Sequence, residues 1–255
     1  MLQKSGPQGA QLISRAADVL RAIPRGVPGG RRLKDLALST GLTEPTVRRI
    51  LMGLIHEGFV VQDSAARLYQ LGPLAFELGL ASGFHSELIA SCQPHLQALA
   101  ADTGLTAILG IRTGNEAVAL AQVEGDVPVS GRIAEVGERL LLGVGAGGVP
   151  MLAVLSDHDV KEILSAPAYD HTHVSRDEIH ERIIFAREHG YADIVDRPLK
   201  GLRGLAIAVP TSKGAPTLYL SMVSTTERFE ELSVGKVVNI LRMSADRLGA
   251  ALDMR

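Results

Sequence analysis

Between residues 44 and 58 the chain reads "EPTVRRILMGLIHEG", with apolar side chains at Val47, Ile50, Leu51, Leu54 and Ile55. That recurrence at three and four residues predicts a helix with a single apolar stripe. Thr43 stands where an N-cap belongs, Pro45 is tolerated in the first turn, and Gly58 marks the stop. The opposite face holds Glu44, Thr46, Arg48 and Arg49 near one end and His56 near the other. Upstream, residues 11–23 predict a helix with Ile13, Ala16, Ala17 and Leu20 inward, and residues 33–40 a short helix with Leu33, Leu36 and Ala37 inward. A loop rich in proline and glycine, "PRGVPGG", separates them, and Gly41-Leu42 makes a tight turn before the third helix. Downstream, "FVVQ" and "LYQL" are short strands joined by "DSAAR", a hairpin with Arg67 at its edge.

Three helices followed by a hairpin describe a winged helix-turn-helix. In that arrangement the third helix enters the DNA major groove with its N-terminal residues against base edges. Arg48 or Arg49 would then read guanine, at about 1–3 kcal/mol of discrimination for a bidentate contact, with Thr43, Glu44 and Thr46 beside them. Arg31, Arg32, Lys34 and Arg67 would meet phosphates, adding affinity without reading sequence. Charge points the same way, since residues 1–71 carry a balance of +5 and the remainder −7. A helical protein-interaction module whose arginines only solvate a face is the other reading of the same pattern.

From Pro73 to residue 104 two further helices are expected, broken near Gly83. Leu74, Leu78 and Ala81 follow one face of the first; Leu88, Cys92, Leu96 and Leu99 line the second, which Pro94 would kink. Phe76, Leu80 and Phe84 lie off the first line, so that helix is apolar on more than one side. It needs a partner, either its own body or a second copy.

The body alternates. "TAILGIR" and "EAVALAQV" are strands around the turn "TGNE", and "GLAIAVP" and "APTLYLSMVS" are a second pair around "TSKG". Helices are expected near 147–155, 157–165 and 176–189, the last capped by Ser175 and closed by Gly190. A final helix from about Phe229 to Leu252 carries Val234, Val237, Val238, Leu241, Ala245, Leu248 and Leu252 inward. Hairpins separated by helices predict an α+β fold with a mainly antiparallel sheet.

The composition, 46% hydrophobic and 4% aromatic with no tryptophan, implies aliphatic cores. The single cysteine, Cys92, excludes an intramolecular disulfide and any CxxC site. No apolar run approaches the roughly 18 residues that span a bilayer, and the N-terminus lacks a signal-peptide core, so a cytoplasmic chain with no membrane partner is expected.

One stretch remains, "RLLLGVGAGGVPMLAVL", whose Gly143, Gly145 and Gly148 fit G-x-G-x-x-G. A dinucleotide fingerprint needs its glycines inside a βαβ unit with an acid about 20 residues on. Here the motif is mid-chain and no second parallel strand ending in an acid follows; nor does a Gly-Lys-Ser of a P-loop. No cofactor is expected. The N–H groups of Gly145, Ala146, Gly147 and Gly148 would instead gather at a helix start, where a carboxylate is favoured; a turn that needs small residues only for packing explains the pattern as well. His171 and His173, with His180 and His189 nearby in sequence, have no cysteine or spaced carboxylates to complete a metal site. Ser91, Ser165 and Ser221 lie outside any G-x-S-x-G elbow, so no catalytic residue is assigned.

Taken together, "ISRAADVLRAI", "LKDLALSTGLTEPTVRRILMGLIHEGFVVQD", "RLYQLGP", "VGERLLLGVGAGGVPMLAVL", "AREHGYA", "GLRGLAIAVPTSKG" and "LSMVSTTERFEE" resemble, in order, the isocitrate-lyase-regulator (IclR) family of bacterial transcription factors. The resemblance implies a winged helix over 1–72, a linker helix over 73–85, and an effector-binding and oligomerisation domain over 86–255 with a curved antiparallel sheet. It implies homodimers or tetramers on double-stranded operator DNA near catabolic genes, and a small organic or aromatic acid as effector. Carried over by position, the pocket involves Gly145, Ala146, Gly147, Gly148, Leu202, Gly204, Ser221 and Val223. Three departures mark this chain. Gly143 and Gly145 replace commonly polar residues, Asp196-Arg197 replaces paired acids, and Val223 replaces a small polar residue. A more apolar pocket follows, suited to a larger or aromatic acid. A small-acid-converting enzyme, or a dimerising interaction protein, with an accessory winged helix are the alternatives.

Overall fold

The computed structural model describes residues 10–24, 29–63, 65–82, 86–126, 136–196, 199–212 and 214–253. The chain divides into two compact units, Met1–Glu87 and Leu88–Arg255.

In the first unit, helices α1 (Gln11–Ala22), α2 (Leu33–Thr40) and α3 (Glu44–His56) precede strands β1 (Val60–Asp63) and β2 (Leu68–Leu71), and α4 (Pro73–Ser82) follows. The core is Val19, Ala22, Ile23, Leu36, Ala37, Val47, Ile50, Leu51, Leu54, Val60 and Tyr69. The α3 stripe is as its spacing predicts, with Ile55 half-buried at the margin. Helix α1 differs. Its inward face is centred on Val19, Ala22 and Ile23, while Ile13 is 72% exposed, because only the C-terminal turns of this helix pack into that core. Gly41 takes the left-handed conformation (φ 67°) that the turn between α2 and α3 requires. The hairpin between β1 and β2 is closed by Asp63, whose Oδ1 accepts from the Ala65 and Ala66 N–H groups at 2.9 and 3.0 Å. The expected break at Gly83, and Phe84, lie outside the described residues.

The second unit is a six-stranded antiparallel sheet in the order β5-β4-β3-β8-β7-β6. Its strands are β3 (Thr106–Thr113), β4 (Glu116–Val123), β5 (Arg139–Leu141), β6 (Ala192–Val195), β7 (Leu202–Ala208) and β8 (Leu218–Thr225). One face packs on α5 (Ser86–Thr103), α9 (Thr226–Leu232) and α10 (Val234–Asp253), burying Leu96, Leu99, Leu205, Leu220, Met222, Phe229 and Leu241. The helices α6 (Gly148–Ala153), α7 (Asp157–Leu164) and α8 (Arg176–His189), with a 3-10 turn at Pro167–His171, form two further clusters around Leu142, Leu152, Ile179 and Tyr219 and around Val149, Ala192 and Ala206. The α+β class with an antiparallel sheet is therefore as expected.

Three features depart from the periodicity reading. The final helix is two, since Ser233 at φ 66° ends α9 before α10 begins. Strands β5 and β6, three and four residues long, are too short to show alternation. The glycine stretch does lie between a strand, β5, and a helix, α6. That strand nevertheless joins an antiparallel edge, so no βαβ unit exists around it.

Phe229 is fully buried against this core, with the Arg203 guanidinium 6.0 Å above its ring. Replacing Phe229 with Ala should cost about 3–5 kcal/mol, while Met52→Ala, at a 58% exposed position, should stay within about 0.5 kcal/mol. Urea denaturation of both variants checks the contrast, and equal midpoints would contradict the packing.

Candidate functional site

The polar face of α3 is built by default. Its apolar stripe faces inward, which turns Glu44, Arg48 and Arg49 outward, and all three are exposed. Among the described residues neither arginine makes a hydrogen bond or ion pair. Thr43 has the extended backbone of an N-cap, but its hydroxyl pairs with the Thr46 hydroxyl at 2.9 Å instead of capping a backbone N–H. Arg32, Lys34 and Arg67 are exposed cations, the last held at φ 55° in the hairpin turn. Arg31 requires a correction. Its guanidinium donates to the Ala22 and Asp35 carbonyls, both at 3.2 Å, and its backbone bridges Tyr69. It braces the helices against the wing and is not a free phosphate contact.

In the second unit, the turn between β5 and α6 lies over the sheet. From α8, the Arg182 guanidinium donates to the Gly143 and Val144 carbonyls at 2.8 and 2.9 Å and to Glu178 Oε1 at 2.6 Å. The Tyr169 hydroxyl donates to the Leu142 carbonyl at 3.1 Å, and burial pushes that phenol up to about 12. Beneath the held turn is a cavity of about 270 Å³. The sheet supplies Ile108, Ala117, Ala119, Ile194, Gly204, Tyr219, Ser221 and Val223; the turn supplies Val144 to Gly148. Leu140 of β5, Glu138 and His173 complete the lining.

The glycines make that proximity possible. A Cβ on Gly147 would overlap the Tyr219 ring, and one on Gly110, the cross-strand partner of Tyr219, would overlap it from another side. A Cβ on Gly145 would come 2.9 Å from Leu140 Cδ1. Close packing is thus one role of the motif. The anion reading needs adjustment too, because the Gly148 and Val149 N–H groups already donate, at 3.2 Å, to the Gly145 and Ala146 carbonyls. Those of Gly145, Ala146 and Gly147 have no acceptor among the described residues.

Of the residues assigned to the pocket by position, Gly145, Ala146, Gly147, Gly148, Gly204, Ser221 and Val223 line it. Leu202 does not. It is buried at the start of β7, paired with Thr225, two residue pairs from Gly204 on the same face. Asp196, at φ 60°, accepts from the Gly201 N–H at 2.6 Å and shapes the loop before β7, again outside the lining; Arg197 lies outside the described residues. The sequence reading missed Tyr219, Glu138, His173 and Ile108. For Tyr219 a signal existed, since strand alternation puts it on one face with Ser221 and Val223. His173 lines the cavity while His171 ends the 3-10 turn; among the described residues no group of three metal-ligating side chains assembles.

The description "Bacterial transcriptional regulator IclR C-terminal" matches residues 84–250, and "IclR helix-turn-helix domain" matches residues 12–64. The chain belongs to the IclR family of transcriptional regulators. Similar IclR-type relatives include the transcriptional repressor AllR of Escherichia coli K12, 25% identical over 97% of this chain and 92% of that one. The regulator BhcR of Paracoccus denitrificans is 28% identical over 96% and 83%. An IclR regulator structure from Alicyclobacillus acidocaldarius superposes with a TM-score of 0.73 at 25% identity, covering 94% of this chain and 97% of that chain. An IclR homolog from Microbacterium hydrocarbonoxydans, complexed with 4-hydroxybenzoate, has the same fold, at TM-score 0.73 and 21% identity over 96% and 100%. Among the described residues no helix is long and apolar enough to cross a membrane.

The contact between Gly147 and Tyr219 is open to a direct check. Gly147→Ala should destabilise by about 1–3 kcal/mol, and most of that penalty should vanish in a Tyr219→Ala background. A urea double-mutant cycle reads the coupling; equal penalties in both backgrounds would mean ring and turn do not touch.

Proposed function

We propose that this IclR-family chain is a ligand-responsive regulator of a catabolic operon, sensing a small organic acid with an apolar or aromatic body. The observation that carries the reading is the cavity itself: it lies between a sheet and a turn with unpaired backbone donors, and its walls are mostly apolar. The neighbour that holds 4-hydroxybenzoate makes an aromatic acid a reasonable class to test here. That relatives along nearly the whole chain are named transcriptional regulators supports a role without catalysis.

On the DNA side, Arg48 and Arg49 read bases, flanked by Thr43, Glu44 and Thr46, while Arg32, Lys34 and Arg67 contact phosphates. Helix α4, with Phe76, Leu78 and Leu80 exposed at 68, 50 and 61%, joins copies of the chain into a dimer or tetramer. A ligand that binds one arrangement of the assembled subunits better shifts its population and thereby the spacing of two recognition helices. The coupling needed is about 1–3 kcal/mol.

Fluorescence anisotropy of the full chain on its own upstream DNA, across a salt series and against scrambled DNA, tests this. The wild type should select its own DNA and weaken as salt rises. The Arg48→Ala/Arg49→Ala double variant should lose that selectivity while its thermal midpoint is unchanged. Full affinity in the double variant would remove the assignment of α3 as the reading helix.

A further inference from the structure

The turn above the cavity meets different partners on its two sides. On the side of α8, Nη1 of Arg182 donates to both the Gly143 and Val144 carbonyls, at 2.8 and 2.9 Å. That side chain is 11% exposed, so water competes little for the two carbonyls. Val144 and Gly145 line the cavity and Arg182 does not, which puts these bonds on the face of the turn directed away from it.

A trans peptide is planar, with its C=O and N–H pointing in opposite directions. The Gly143–Val144 peptide follows the rule: its carbonyl accepts from Arg182, and its N–H donates the other way, to the Leu141 carbonyl at 3.1 Å. In the next peptide the Val144 carbonyl accepts from Arg182, so the Gly145 N–H points away from α8, on the side where Gly145 lines the cavity. Among the described residues that N–H has no acceptor. It belongs to the turn itself, three residues ahead of α6, and takes its direction from this one carbonyl.

Local sequence leaves that direction open. A peptide followed by glycine can flip by half a turn, because glycine accepts the positive φ that the flipped form requires. Gly145 is not in that region here, although Gly143 is, at φ 86°. A flip would take the Val144 carbonyl off Arg182 and aim an acceptor at the cavity, where it would repel a carboxylate. The guanidinium therefore selects one of two states. It also polarises the peptide, and a peptide whose carbonyl accepts from a cation is a better donor at its N–H.

We propose that Arg182 is a positioning residue of the effector cavity: by fixing the Val144–Gly145 peptide from outside, it presents the Gly145 N–H to the carboxylate of the ligand. This rests on the reading that the cavity takes an acid effector.

Titration calorimetry of the full chain with benzoate and with benzamide, its uncharged counterpart of similar shape, tests this on wild type and on Arg182→Gln. The wild type should prefer the anion. Arg182→Gln, shorter and uncharged, should weaken benzoate roughly 10- to 100-fold, the loss of one hydrogen bond to a charged group, and benzamide less, so that the preference for the anion falls roughly fivefold or more. A general collapse of the turn would weaken both ligands alike, so equal losses, or none, would overturn the positioning role and leave the acid reading standing. Amide NMR of wild type labelled at glycine answers without any variant having to fold: the Gly145 proton should move downfield as benzoate is added. An unmoved Gly145 amide in the benzoate-saturated chain would likewise overturn the proposal and spare the acid reading. A wild type that binds benzamide as well as benzoate, or neither, would overturn the acid reading, and this inference with it.

Discussion

Arg182 reaches from α8 to the carbonyls of Gly143 and Val144, and through those two hydrogen bonds it sets where the turn between β5 and α6 stands above the sheet. Carbonyls at a turn of this kind have no strand partner, and left buried without donors each would carry a desolvation cost of about 1–3 kcal/mol. An arginine, with its fixed fork of donors, satisfies both and keeps a third bond for Glu178. Tyr169 does the same for Leu142. The cavity below is therefore a consequence of backbone satisfaction: the turn is suspended from the helices outside it, and the glycines let it come down to the sheet.

The far edge of the sheet is secured by a similar device. Arg203 on β7 donates to Asp193 on β6 at 2.8 Å, and that hydrogen bond, outweighing the opposing effect of burial, raises the guanidinium pKa above its usual value. The pair adds to the ladder that joins this four-residue edge strand to β7, and β6 carries Ile194 into the cavity wall. In the first unit Arg31 plays the analogous part, donating to two helix carbonyls, while Arg48 and Arg49 stay exposed. Among the described residues the arginines thus divide into those that serve backbone carbonyls, such as Arg31 and Arg182, those paired with carboxylates, such as Arg139 and Arg203, and those left to solvent, such as Arg48 and Arg49, and the division follows position in the fold.

That division is not legible in the sequence, and the reason is physical. Helical and strand periods report which residues face a core, so α3, the two hairpins and the class of the sheet can be read from Val47, Ile50, Leu51 and Leu54 and from the alternation in "TAILGIR". An arginine's partner is set by tertiary placement, which a period does not encode; Arg31 beside Arg32 reads as a basic patch. Ile13 departs from its expected burial because apolar positions in a first turn fit a stripe whether or not a core lies opposite. The site residues at Gly145–Gly148, Gly204, Ser221 and Val223 follow from resemblance. Tyr219 does not follow from resemblance; alternation places it on their face, but the space it fills is what Gly110 and Gly147 give up, a compensation between three residues far apart along the chain.

A pocket whose donors are largely main-chain N–H groups has an unusual relation to variation. Side-chain substitution cannot delete a peptide N–H, short of proline, so these donors are nearly immune to point mutation. What drift can alter is the volume around it, at Ile108, Val223 and the Gly147–Tyr219 contact. Point changes in this cavity would therefore reshape its walls long before they removed its main-chain donors.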